Sequence, residues 1–225
     1  MYRLTLALLA ATIAFVARAQ DAGQGLVGKV EGRNYVSPTG QFKVVIPVLP
    51  ELGGDITDTP NVVTFQDDFN LLISIAAFPQ DATQRWELST RGAKDYLIYF
   101  FRDFVLADFM QNFQGVKMES AKFLPTRHDG SLLTYILIPG GTMFADRVPK
   151  LSMDQVPIAK RGNLLFVRND YVYIISTEMA ERIIEGKAYT RTTEQEDEAL
   201  LARLIDIVNK IQFTKPVAPK EAAKK

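Results

Sequence analysis

The chain holds 225 residues with 26 basic and 26 acidic side chains, one His and no Cys. That length suits one domain, and 47% apolar against 23% charged residues is the composition of a protein with a packed core. Zero net charge argues against nucleic acid as a partner. The lack of Cys excludes disulfides, thiolate catalysis and Cys-held metal clusters, and a single His excludes any site that needs two imidazoles.

Residues 1–19 read as an export signal. Met1-Tyr2-Arg3 gives a short positive start, Leu4 to Val16 an uncharged apolar run, and Ala17-Arg18-Ala19 a small-x-small cleavage site. The run is too short to span a bilayer, which takes about 20 residues. The expected location is therefore the periplasm or the medium, with no stable transmembrane segment after cleavage. Residues 20–34 follow as a Gly-rich flexible leader, 35–214 as a single domain, and 215–225 as a disordered Lys/Pro tail.

Ser37-Pro38-Thr39-Gly40 is a turn that launches a strand from Phe42 to Ile46, stopped by Pro47. Residues 51–60, with Gly53-Gly54, read as a polar loop. Val62–Gln66 and Leu71–Phe78 are strands joined across Asp67-Asp68-Phe69-Asn70, and the second is apolar on both faces, as a central strand covered on both sides should be. The spacing then predicts a long helix from Thr90 to Phe113, broken by Gly115. Its seven aromatics put Tyr96, Phe100 and Phe104 on one side, with Ile98 and Phe109 nearly opposite.

Strands at 116–124 and 132–138 flank Asp129-Gly130, and strands at 164–168 and 171–176 flank Asn169-Asp170; both pairs are hairpin turn signals. Residues 139–160 form a long connection between them. Thr193-x-x-Glu196 reads as a capping box for a closing helix, whose Leu200, Leu204, Ile205, Val208 and Ile211 form an apolar stripe. Hairpins outnumber crossovers, so the fold class is α+β: an antiparallel sheet of six or seven strands flanked by helices, an α/β/α sandwich.

Catalytic signatures are sparse. Gly23 to Lys29 has phosphate-loop spacing, but Val30 stands where the magnesium-holding Ser or Thr belongs. His128 lies in a turn where solvent keeps its pKa near that of free imidazole, and no nucleophile motif accompanies it. Asp67, Asp68, Asp103, Asp108 and Glu119 are the acids available to a carboxylate-based hydrolase, although Asp in a turn commonly serves local hydrogen bonds. Glu51, Asp55 and Asp58 lack the spacing of a calcium loop. No cofactor and no metal is implied. Two features exceed structural need: the aromatic helix, with Phe101, Phe109 and Phe113, and the 139–160 connection, with Met143, Phe144 and Arg147. Together they are the candidate binding residues.

The order of elements resembles the PsbP-like, or Mog-type, domain. The parts that carry the likeness are Tyr35 to Phe42 leading into Val45-Ile46-Pro47, the middle helix after strand 71–78, the two hairpins, and the closing helix ending Ile207 to Phe213. The resemblance implies an antiparallel sheet sandwiched by helices. It also implies a non-enzymatic role: an extrinsic subunit of a photosynthetic complex, a binder of a small GTPase, or an envelope protein or chaperone for apolar segments. The expected function is thus an exported accessory or binding protein whose partner is another envelope or secreted protein. A carrier of an apolar small molecule is the alternative ligand reading, and a carboxylate hydrolase the alternative chemistry.

Overall fold

The computed structural model describes residues 25–139, 158–179 and 181–215. Its centre is a seven-stranded antiparallel sheet in the order β4 (Asp55–Asp58), β5 (Val62–Gln66), β6 (Leu72–Pro79), β10 (Tyr171–Met179), β9 (Ile158–Arg168), β8 (Ser131–Pro139) and β7 (Lys117–Leu124). A second, four-stranded sheet joins β1 (Lys29–Glu31), β2 (Asn34–Val36), β3 (Phe42–Val45) and β11 (Ile211–Phe213). The α+β class and the flanked antiparallel sheet expected from the sequence are what the structure has.

Register sorts the strands' side chains onto two faces. Val62, Ala76, Ile174, Leu165 and Leu132 align across five strands and face the long helical segment. Val63, Ile75, Ile175, Leu164 and Leu133 align on the opposite face, under the closing helix (Thr193–Asn209) and the small sheet. Both faces are covered, so the central strands are apolar throughout. The hairpin turns are built as their residues dictate: Asn169 and Asp170 both take positive φ (51° and 62°), which these short polar side chains tolerate.

Several boundaries differ from the sequence reading; among them β9 begins at Ile158, inside the expected 139–160 connection, rather than at Leu164. The small sheet takes in Lys29–Glu31 and Asn34–Val36, ahead of or straddling Tyr35. Residues 55–58, read as loop, pair with β5 as an edge strand, with side chains alternating between exposed and half-buried. The helix begins at Ala82 rather than Thr90. Asp81 caps it, accepting from the Gln84 N–H at 2.7 Å while Gln84 Oε1 accepts from the Asp81 N–H at 3.2 Å. The closing helix is capped by the pair Thr192 and Gln195, one residue before the expected pair. Glu196 is thereby released for the interior.

The long helical segment is not one regular helix. α1 (Ala82–Phe100) bends at Gly92, whose φ of 76° lies in the left-handed region that favours glycine. A π-helical stretch (Phe101–Leu106) then leads into α2 (Ala107–Asn112). Leu97, Phe101, Val105 and Phe109 recur every fourth residue, and all are buried. On a 3.6-residue helix such a ridge drifts by about 40° per step. The wider π turn takes roughly one residue more and rotates the ridge back over the sheet. Phe109 therefore lies on the sheet side with Tyr96 and Phe100, correcting the reading that set it opposite them.

Candidate functional site

Beneath the π stretch, the apolar face of the sheet is interrupted by a row of polar side chains. Thr64, Ser74, Ser176, Asn163 and Thr134 align by register across five strands. Ser176 Oγ donates to Asn163 Oδ1 at 2.9 Å, and Asn163 Nδ2 donates to Thr134 Oγ1 at 3.3 Å. Two residue pairs further along the ladder, on the same face, Arg161 Nη1 donates to Glu178 Oε1 at 3.0 Å, and the guanidinium lies 5.2 Å from the Phe109 ring. Val105 and Phe109 roof this floor over a cavity of about 30 Å³. That is the space of a single water, whereas a carrier of an apolar small molecule needs several hundred Å³.

The sequence-derived candidates divide accordingly. Phe101 is 2% exposed and Phe109 4%; both are core residues. Phe113 is half-buried and stacks on Phe109 with centroids 6.0 Å apart. Met143, Phe144 and Arg147 lie outside the described residues.

On the opposite face, at the end of the sheet where the 140–157 connection departs, sits a cluster that sequence reasoning missed. Lys160, 0% exposed, places its ammonium 2.5 Å from Glu119, 2.6 Å from Asp197 and 3.1 Å from Glu196, and 5.2 Å from the Tyr135 ring. Glu196 also lies 3.3 Å from Arg182 Nε and accepts from the Tyr189 hydroxyl at 2.7 Å. Burial pulls the Lys160 pKa down, but bonds from Asp197, Glu119 and Glu196 outweigh it and hold it above the ordinary lysine value. The signal was present: Lys160-Arg161 interrupts an apolar strand, and strand alternation sends one cation to each face, where each requires a buried acid.

Several of the groups considered for catalysis are engaged by other groups of the chain. Glu119 is held by Lys160. Asp67 Oδ1 accepts from the backbone N–H groups of Phe69, Asn70 and Leu71 at 2.9, 3.0 and 2.9 Å, closing the β5–β6 turn. Asp103 binds its neighbour Arg102 at the surface. Burial raises the Asp108 pKa, against a hydrogen bond from Asn112 that lowers it.

Asp58 accepts from the Val27 and Gly28 N–H groups at 2.9 and 2.7 Å and from the Tyr35 hydroxyl at 2.7 Å. The amide that a phosphate loop would offer at Gly28 is thus taken by a carboxylate of the same chain. His128 is not solvated as expected: it stacks on Phe166 with centroids 4.7 Å apart. Burial first, then Arg168 and Arg127, push its pKa below the ordinary value. Among the described residues no three acids or imidazoles are grouped to hold a metal ion, and no helix is long and apolar enough to cross a membrane.

No protein-family model matches the chain, and no curated protein does. Solved structures similar to it include cyanobacterial PsbP (CyanoP) of Synechocystis sp. PCC 6803, at 12% identity and a TM-score of 0.48, covering 88% of this chain and 99% of that one. The Ran-binding protein Mog1p of Saccharomyces cerevisiae is similar at 10% identity and a TM-score of 0.43, covering 84% of this chain and 96% of that one. A protein of Bacteroides thetaiotaomicron VPI-5482 is similar at 10% identity and a TM-score of 0.41, over 83% of this chain and 50% of that one. PsbP and Mog are the two groups whose domain the order of elements resembles. At these identities the likeness concerns the fold alone.

Proposed function

We infer that the protein is exported and works as a non-catalytic accessory or binding protein, through contact with another envelope or secreted protein. The observation that carries this reading is the engagement of its reactive groups. Glu119, Glu196 and Asp197 surround one ammonium, Asp58 and Asp67 bind backbone amides, and the single imidazole stacks on Phe166. An acid or base so engaged must break structural bonds before it can exchange a proton with a substrate. The export pattern of residues 1–19 supports the location. Of the sequence-derived candidates, the half-buried Phe113 with Met143, Phe144 and Arg147 remains the proposed contact set around the 140–157 connection.

Crosslinking capture of the tagged protein from its own envelope, read by mass spectrometry, tests the proposal. One reproducibly enriched protein is the expected result. Capture of nothing but the chain itself, together with turnover of an ester or glycoside panel, would overturn it.

A further inference from the structure

A surface away from the aromatic helix has the chemistry of a docking site. Between Lys43 and Arg85 the chain carries six acids (Glu51, Asp55, Asp58, Asp67, Asp68 and Asp81) and no basic residue. The fold gathers two loops from this stretch. Pro50–Leu52 forms a 3₁₀ turn closed by Gly53, with the Gly54 N–H donating to the Leu49 carbonyl at 2.9 Å. The 67–70 turn, built on Asp67, is tied to it by the Asp68 N–H donating to the Leu52 carbonyl at 3.0 Å.

These two braced loops present Leu49, Leu52 and Phe69 to solvent at 44%, 40% and 58% exposure. Exposed Glu51 and Asp55 stand beside them. Large apolar side chains held on a hydrogen-bonded scaffold lose little conformational freedom on binding. Carboxylates around them select for positive charge and repel anionic surfaces.

Resting on the binding-protein reading, we propose that the paired loops 49–54 and 67–70 are the docking surface for a basic amphipathic protein segment. Such a segment sets its apolar side chains against Leu49, Leu52 and Phe69 and its Lys or Arg side chains against Glu51 and Asp55.

The test uses the ¹⁵N-labelled protein purified from exporting cells, titrated with a leucine–lysine amphipathic helical peptide. Amide shifts confined to residues 49–55 and 66–71 are expected. Affinity falls about tenfold in the Leu49→Ser, Leu52→Ser, Phe69→Ser variant and by a similar factor in Glu51→Lys, Asp55→Lys or at high salt. These positions are exposed, so the variants fold.

Shifts centred on another surface, equal affinity of the leucine–glutamate analogue, or undiminished binding by the triple Ser variant would each overturn the assignment. So would binding to phosphatidylcholine vesicles that competes with the peptide, which would make the patch a lipid contact. Failure here, with a partner still captured from the envelope, would remove this surface and leave the binding function standing.

Discussion

Replacing Lys160 by Met keeps most of the stem's volume and removes its charge. The ammonium is fully buried and within 3.1 Å of all three carboxylates, so the variant leaves Glu119, Glu196 and Asp197 facing one another, with Arg182 beside Glu196. Removing one partner of a buried ionic group costs about 3–5 kcal/mol. For a domain near 200 residues each kcal/mol shifts Tm by roughly 2–4 °C, so Tm should fall by roughly 6–20 °C.

Thermal and urea unfolding followed by far-ultraviolet circular dichroism measure both quantities. Coupling sharpens the test. Glu119→Gln alone should destabilise, because it removes a negative charge from beside Lys160, yet in the Lys160→Met background it should stabilise by relieving repulsion. The pH dependence has a definite sign. The folded-state pKa of Lys160 is raised, so its contribution is complete through neutral pH and is lost only as pH climbs past the ordinary lysine value, near 10.5. A Lys160→Met protein within about 1 kcal/mol of wild type, with no sign change for Glu119→Gln, would refute this account of the cluster.

Asp67→Ala removes the acceptor of three backbone N–H groups and should cost about 2–3 kcal/mol in urea unfolding, with Asp67→Asn recovering part of the loss. Phe109→Ala opens the cavity under the π stretch and should cost about 3–5 kcal/mol; a loss below about 1 kcal/mol would mean that Phe109 does not hold the segment to the sheet. His128 has a depressed folded-state pKa, so folding favours its neutral form, and its contribution is lost as pH falls through the ordinary value of about 6.5. His128→Asn, which tolerates the positive φ there, should flatten the stability profile between about pH 7 and 5 relative to wild type; identical profiles would exclude the imidazole as the titrating group.

Local rules account for the hairpins and the closing helix. Asn169-Asp170 turns where positive φ is needed, and the stripe from Leu200 to Ile211 meets the sheet. Long-range demands account for what the sequence concealed. A regular 3.6-residue period sends Phe109 away from the sheet, and only packing against the strands selects the π stretch that brings it back. The helix start was legible in Asp81-x-x-Gln84 but was obscured by the polar Ala82–Thr90 turns that follow.

Lys160 and Glu196 are 36 residues apart and meet only through the tertiary fold, and a strand drawn to begin at Leu164 left Lys160 and Arg161 outside it. Among the candidate binding residues, Phe101 and Phe109 lie in the core. Composition alone does not tell an anchor of the core from an anchor of a partner.

A chain that acts by stable contact rather than by turnover travels with its partner. Gentle extraction of the envelope, fractionation by size and quantitative mass spectrometry of the fractions holding the protein test it most directly. Co-migration with one other protein at a constant molar ratio is expected, well above the mass of the free chain, which is at most 25.2 kDa. Elution of the whole pool as free chain, with no protein tracking it through the fractions, would contradict it.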